Sequence, residues 1–504
     1  MNVVNCKEFF DDRSFAITMN LVEVSVFIVY LVFMLSIGVW FFVREKNQTE
    51  KGYFLGDRKM GPWVAALSAG ASDMSAWVLM GLPTSIYAAG LGQVWISVGL
   101  AIGYALSWIY EAPRLRAFSI AANDSITIPQ YLTNRFLSES KSLQIISAVV
   151  FLVAYTIYSA SSIKACGTLF NTVTGLDTTI AMYLAAIIVI SYTFLGGFSA
   201  VSWTDFFQGL LVLAAMLIVP IAAGTMLEPD ASASITTPNY WNAFSSWQEI
   251  VSGLGWGLGY FGMPHIIIRF MSINSQRELR KSAKIGISWT VIILVFAALV
   301  GIIGRMFIGY DEAVNSNSLV FVVMTRRIFP AVISGVLLSA VLAAAMSTAD
   351  SQLLAAASAF ASDVYRPVIR GDKAGNREML WAGRIVVLVI AIAALYIASS
   401  PNAGSIMALV SNAWGVFGAA FGPSIMLSLF WKRFTYAGAA CGIFAGAVVD
   451  IAWLSYLSYT NVYEIIPGFI AGLVVAVCVS LLSPKPSAEV EALFDKAMEM
   501  AGEK

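Results

Sequence analysis

The sequence predicts an all-α integral membrane protein with about thirteen transmembrane helices, and two observations carry that expectation. Of 504 residues, 59% are hydrophobic and only 12% charged, with a mean hydropathy of +0.78, whereas soluble domains carry about 25% charged residues. The apolar residues also fall into windows of about 20, the length a helix needs to cross a bilayer core. Zero formal net charge and no long basic block give no reason to expect nucleic acid as a partner. Cys6, Cys166, Cys441 and Cys478 lie without metal or redox spacing, and the single His265 does not furnish a histidine metal site. Catalysis by Cys or His, and enzymatic activity generally, is therefore not expected. The N-terminus holds both signs of charge and the first apolar run has the length of a permanent span, so no cleaved signal peptide is predicted.

Taken in order, the apolar windows lie near 20–43, 61–85, 91–112, 143–171, 176–195, 203–227, 247–273, 283–308, 329–362, 379–399, 405–431, 436–457 and 462–483. Basic residues set the orientation. Arg44, Lys46, Lys51, Arg58 and Lys59 follow the first window; Arg114, Arg116, Arg135 and Lys141 follow the third. Arg277, Arg280, Lys281 and Lys284 follow the seventh; Arg366, Arg370, Lys373 and Arg377 follow the ninth. If every window crosses once, all four groups share one side, which is then cytoplasmic. That places residues 1–19 outside and the C-terminus inside, with Arg305, Arg326, Arg327 and Lys164 against the trend. Longer connections are expected at 113–142 and 363–378 on the cytoplasmic side and at 228–246 outside. The polar tail 484–504 reads as a short amphipathic helix without an assigned function.

The chemistry concentrates where helices should break. The second window, "SAGASDMSAW", sets Asp73 among Ser68, Gly70, Ser72 and Ser75. The seventh, "GLGWGLGYFGMP", has glycine at alternate positions from Gly253 to Gly259, then Gly262 and Pro264. Glycine loosens a helix and proline removes a backbone donor. Unwound backbone at membrane depth survives only inside protein or along a cavity, so two such windows point to paired discontinuous helices around a midplane site. Close helix packing is the competing reading of the glycines. Asp73 weighs against packing alone, because a mid-membrane carboxylate costs a few kcal/mol unless it is paired or hydrated. In the ninth window, "LAAAMSTADSQLL", Ala344, Ser347, Thr348 and Ser351 share a helix face. Such hard, uncharged oxygens suit Na⁺ better than a soft or highly charged metal; hydroxyls bonding back to the preceding turn are the competing reading.

With "FLGGFSAVSWTD" at 194–205 and "GLGYFGMPHIIIRFM" at 257–271, these motifs make the chain resemble the solute:sodium symporters, and within them the sodium/proline symporters, over nearly its whole length. The resemblance implies a Leu-transporter-type fold, a 5+5 inverted repeat with two broken helices. Its repeats would be 61–227 (helices 2–6) and 247–431 (helices 7–11), with 20–43 before them and two helices, 436–483, after. It implies Na⁺ ligation by carbonyls of Ala71, Met74 and Ala344 and hydroxyls of Ser347 and Thr348, with Asp73 and Ser75 supporting the ion site. Asp73 would either cap unwound amides or attract the ion. Trp77, Tyr158, Trp256, Tyr260 and Pro264 would line the pocket for L-proline, where aromatic faces enclose a pyrrolidine ring. Asp205, Asp350 and Ser351 match an additional cation site of some relatives. Either the facing carboxylates hold a proton or a cation, or both face cytoplasmic water.

No resident cofactor is implied: Na⁺ is the coupling ion, Li⁺ its expected substitute, and the cell membrane the expected location. Two residues depart from the pattern: Ala76 stands in place of Gly, and Met263 in place of Gln. They open the alternative of another small neutral amino acid or organic solute. A channel or a transporter-derived sensor is the alternative of another class, but no signalling domain is visible and a channel needs no closed aromatic pocket.

Overall fold

The computed structural model describes residues 20–44, 49–371, 373–400 and 402–502. The expected outer segment 1–19, with Cys6, and Lys46 lie outside the described residues. Among the described residues the chain is helical without strands, and ten helices are long and apolar enough to cross a membrane. The three remaining predicted windows, 61–85, 176–195 and 247–273, are shortened for physical reasons: two are interrupted, and one ends at a kink.

Helix α1 (Leu21–Arg44) is followed by a short α2 (Glu50–Leu55). Then α3 (Pro62–Asp73) stops at Met74, whose ψ of 68° leaves the helical region, and α4 (Leu82–Ala89) resumes after a wide turn at Trp77–Gly81. Helices α5 (Val94–Leu106) and α6 (Ala112–Ala121) form one rod that runs past the predicted end at 112. The basic residues that close the apolar window are satisfied where they stand. Arg114 lies over the Phe430 ring at 3.9 Å, and Arg116 Nε donates to the Ile273 carbonyl at 2.7 Å. The expected connection 113–142 therefore contains the end of this rod and α7 (Ile128–Arg135).

After α8 (Ser142–Thr174), the single helix α9 (Thr178–Gly224) joins two predicted windows through Gly197, at φ +63° and ψ −174°. A Cβ would be strained there, which is why glycine occupies the bend. Helix α10 (Trp247–Gly255) tightens into a 3₁₀ turn over Trp256–Phe261 and breaks at Gly262 and Met263, and α11 (Pro264–Ser272) restarts on a proline. Proline suits the first turn, where its missing N–H has no partner to lose. Helix α12 (Gln276–Ile308) leads to two short helices that no apolar window announces, α13 (Glu312–Ser316) and α14 (Val320–Ile328). Then come α15 (Ala331–Phe360), which continues in wide turns to Ile369, α16 (Asn376–Ala398), α17 (Ile406–Phe430), α18 (Tyr436–Tyr456) and α19 (Ile465–Leu482).

Tail helix α20 (Ala488–Ala501) buries Val490, Phe494 and Ala497 against α6 and α7, and Lys432 holds Asp495 at 2.7 Å. Helix α3 packs against α9, α11, α12 and α15, so the first break is enclosed by protein. The second is wedged against α5 and α17. A Cβ on Gly103 would stand 2.2 Å from the Gly257 carbonyl oxygen, so the glycine run serves close packing as well as breakage. One isolated bridge ties the two broken elements at their basic end: Met60, before α3, pairs with Ile273, after α11.

Candidate functional site

The first break presents its own backbone. Ser75 N–H and the Trp77 indole N–H both donate to the Asp73 carbonyl, at 2.8 and 3.1 Å, and Ser75 Oγ accepts from Trp77 N–H at 3.4 Å. These bonds replace the helical ladder that stops at Met74 and turn the Met74 carbonyl off the helix direction.

Helix α15 meets this break with hydroxyls. Ser347 Oγ lies 2.8 Å from the Ala71 carbonyl oxygen and 3.1 Å from that of Ala344. Thr348 Oγ1, one residue on, is buried without a hydrogen-bond partner. Ser347 thus touches both the Ala71 and the Ala344 carbonyls, with Thr348 next to it on α15 and Met74 at the end of α3. An unpaired buried hydroxyl forfeits about 1–3 kcal/mol, a cost that an oxygen-seeking ion would remove. His265 plays no part in a metal cluster, and no group of three His, Cys, Asp or Glu occurs among the described residues.

Asp73 is fully buried. Its Oδ2 accepts from the Tyr260 hydroxyl at 2.5 Å, while Oδ1 has no partner. Of the two roles left open, capping of unwound amides is not made. The carboxylate instead links the two broken elements.

The aromatic residues gather around that link. The Trp77 and Trp256 rings lie 6.1 Å apart at 30°, and Tyr260 packs edge-on to Tyr104 and Trp414, both at 5.1 Å. Tyr158, from α8, has a buried, unpartnered hydroxyl, and its ring meets His265 edge-on at 6.0 Å. Pro264 forms the first turn of α11, with Met263 fully buried before it. Ala76 is also buried, at the start of the wide turn.

Sequence reasoning did not single out Trp414 or Tyr463. Trp414 donates its indole N–H to the Trp256 carbonyl at 2.8 Å, and Tyr463 stacks on Trp256 at 5.0 Å. They come from α17 and from just before α19, and nothing local marks them. A cleft of about 660 Å³ opens from Trp256 past Tyr463 and Glu464 toward Gln93 and Glu249, at the end of the molecule opposite the basic loops.

The third cluster differs from expectation. The apolar window 203–227 would set Asp205 at the cytoplasmic start of its helix. The second limb of α9 begins at Gly197 instead, so Asp205 lies about two turns inside and is fully buried, as is Asp350. Neither faces water. Asp205 Oδ2 accepts from Ser68 Oγ at 2.7 Å and from the Arg269 guanidinium at 3.1 Å. Arg269 also donates to Ser351 Oγ at 2.5 Å, to Ser68 Oγ at 3.1 Å and to the His265 carbonyl. Ser351 in turn lies 3.3 Å from Asp350 Oδ1. A resident guanidinium therefore stands among the carboxylates for which the sequence leaves open a shared proton, a mobile cation or cytoplasmic water. Its signal was available as the single charge in "PHIIIRFM", an arginine within an apolar run.

The family model described as "Sodium:solute symporter family" matches residues 53–446. The sodium/proline symporter of Staphylococcus aureus strain USA300 / TCH1516 is 42% identical over 492 residues, covering 94% of this chain and 96% of that one. The protein of the same name in strain NCTC 8325 / PS 47 gives the same figures. Among solved structures, a substrate-bound, outward-open Na⁺-coupled sialic acid symporter superposes with a TM-score of 0.77 at 20% identity, covering 93% of this chain and 99% of that one. A nucleobase-cation-symport-1 family transporter, closed around bromovinylhydantoin, gives 0.56 at 14%, covering 88% and 98%. The two structures establish likeness of fold; the family match and the 42% identity establish kinship. The chain belongs to the sodium:solute symporter family.

Proposed function

We propose that this protein is a secondary transporter, not an enzyme, that couples Na⁺ entry to uptake of L-proline by alternating access. One observation carries the reading: the break that brings the Ala71 carbonyl to Ser347 Oγ at 2.8 Å also sets Trp77 beside Trp256. Ion ligands and pocket wall then belong to one deformable segment, so binding of either ligand favours the same arrangement of α3 and each raises affinity for the other. The 42% identity to sodium/proline symporters supports the choice of substrate.

In this reading Na⁺ is held by carbonyls of Ala71, Met74 and Ala344 and hydroxyls of Ser347 and Thr348. Ser75 orders the break, and Asp73 supplies the negative field. Trp77, Tyr158, Trp256, Tyr260 and Pro264 enclose the pyrrolidine ring. The architecture is read as thirteen spans: repeats 61–227 and 247–431, one helix before and two after, with the basic loops cytoplasmic and residues 1–19 outside. The cleft that reaches Trp256 then opens outward. Arg269 argues for one coupled Na⁺ per substrate, because its guanidinium meets the charge of Asp205 where a second cation would sit. At about 100 mV and a tenfold Na⁺ gradient, one ion supplies roughly 2.3 plus 1.4 kcal/mol, enough to accumulate substrate several hundred-fold.

Ala76 and Met263 favour a second reading, in which another small neutral amino acid is carried, since a methyl and a thioether stand at the pocket edge. Uptake of labelled proline into proteoliposomes under imposed Na⁺, Li⁺ or H⁺ gradients, competed with a panel of amino acids, decides. Na⁺- and Li⁺-driven uptake competed only by proline analogues is expected. H⁺-driven uptake, or stronger competition by another amino acid, would overturn the assignment.

A further inference from the structure

We infer that Asp450 and Glu464 form a proton-binding site at the outer cleft, a carboxylate pair that holds one shared proton and bears on the wall of the substrate pocket. Asp450, on α18, is fully buried, and both of its oxygens lack a hydrogen-bond partner. Glu464 immediately precedes α19, is 8% exposed and lines the cleft.

The two side chains meet over Gly415 of α17. A Cβ there would lie 2.8 Å from Asp450 Oδ1, 3.4 Å from Oδ2 and 3.3 Å from Glu464 Cγ. Glycine leaves the space that the Asp450 carboxyl and the Glu464 side chain both approach.

Among the described residues no basic side chain pairs with either acid. Helix α17 carries no charged residue, and the only titratable group within α19 is the exposed Cys478. On α8, the Lys164 ammonium is held by the Gly404 carbonyl, and Tyr155 and Tyr158 are phenols. Tyr459 is exposed, and Tyr463 donates its hydroxyl to the Ser411 carbonyl at 2.8 Å. On α10, Glu249 accepts from Gln93 Nε2 at 3.1 Å.

Two other buried acids are met by cations. Glu23 is met by Arg326 at 2.6 Å and Asp205 by Arg269. Two carboxylates converging in a region of low polarity, with no cation, cannot both ionise cheaply. A single proton between them removes the repulsion and gives Asp450 the hydrogen bond it lacks.

The pair is joined to the pocket on both flanks. Tyr463, the neighbour of Glu464, stacks on Trp256; Trp414, the neighbour of Gly415, donates to the Trp256 carbonyl. Loss of the proton drives the carboxylates apart, and Glu464 has only the cleft to move into, so the Tyr463–Trp256 stack loosens. External pH therefore acts on substrate affinity. This last consequence rests on the transport reading above; the proton site does not.

The test uses the full-length protein in lipid nanodiscs, followed by infrared difference spectroscopy as pH is raised. The wild type is expected to show the carbonyl stretch of one protonated carboxylic acid that disappears with rising pH and is missing from both Asp450→Asn and Glu464→Gln. If Asp450→Asn fails to fold, the wild-type titration and Glu464→Gln, a change at the cleft surface, carry the test. An unchanged band in a folded variant overturns the proposal. So does a wild-type band that saturating Na⁺ abolishes, since the pair would then hold a metal cation. In proteoliposomes, a several-fold dependence of proline KM on external pH should flatten to under about twofold in Glu464→Gln. Absence of any proline uptake by the wild type would count against the substrate assignment and leave the spectroscopic result standing.

Discussion

Asp73 and Asp205 are both fully buried, and each has one oxygen bound and one without a partner, yet their neighbours give them opposite electrical characters. Asp73 is held by a neutral phenol, Tyr260, at 2.5 Å. Asp205 is held by the Ser68 hydroxyl and by the guanidinium of Arg269. The first carboxyl has no cationic partner and lies within two residues of the Ala71 carbonyl, where the proposed reading seats Na⁺. At the second, a tethered cation already resides. The same residue type is thus left without a cationic partner in one place and held in a permanent ion pair in the other; on the proposed reading the first awaits a cation that can leave.

The largest effect should come from breaking the permanent pair. Arg269→Gln leaves Asp205 buried without a cation, which should cost about 3–5 kcal/mol, read as a marked fall in thermal stability in detergent. The double variant Arg269→Gln/Asp205→Asn should recover most of it. A single variant as stable as the wild type would erase the distinction between the two sites.

Next, Asp73→Asn should raise the half-maximal Na⁺ concentration at least about thirtyfold, on the order of 2 kcal/mol of lost field. Tyr260→Phe, which keeps the charge, should raise it far less. Equal effects of the two in Na⁺-dependent uptake would mean that Asp73 acts only through its hydrogen bond.

Smaller again, Ser347→Ala or Thr348→Ala should raise half-maximal Na⁺ about five- to tenfold, with a lesser change in substrate recognition, since each removes one of about five oxygen ligands. An unchanged Na⁺ dependence in both would remove α15 from the ion site.

The smallest effect belongs to a third aspartate, in water. Partial burial alone would raise the carboxyl of Asp124, but Lys51 and Arg58 hold it below the usual range. Because its folded value is depressed, its contribution is present above the unfolded value of about 3.9 and is lost as pH falls through the lower, folded one. With the carboxylate half exposed, solvent screening limits that contribution to under about 1 kcal/mol. Asp124→Asn should therefore alter thermal stability only slightly at neutral pH and flatten its acid limb; a loss as large as that of Arg269→Gln would show that burial is not what separates these carboxylates.

The sequence by itself determined the solvent, the helices and the places where two of them stop. Helix length against bilayer thickness is a local matter, and so is the effect of glycine and proline on a backbone ladder, as the breaks at Met74 and Met263 show. The Ser347 and Thr348 hydroxyls were legible too, because spacing along one helix fixes a shared face. Tertiary structure decided which charges are neutralised. Arg269 reaches Ser68, 201 residues away in the chain, and Trp414 reaches Trp256 across 158. Gly197 set the start of the limb that buries Asp205, and Asp450 lies over Gly415 only because α18 packs on α17 with that face inward. Such meetings depend on the rotation and depth at which helices dock. A local hydropathy pattern leaves those two quantities free, and side-chain packing settles them.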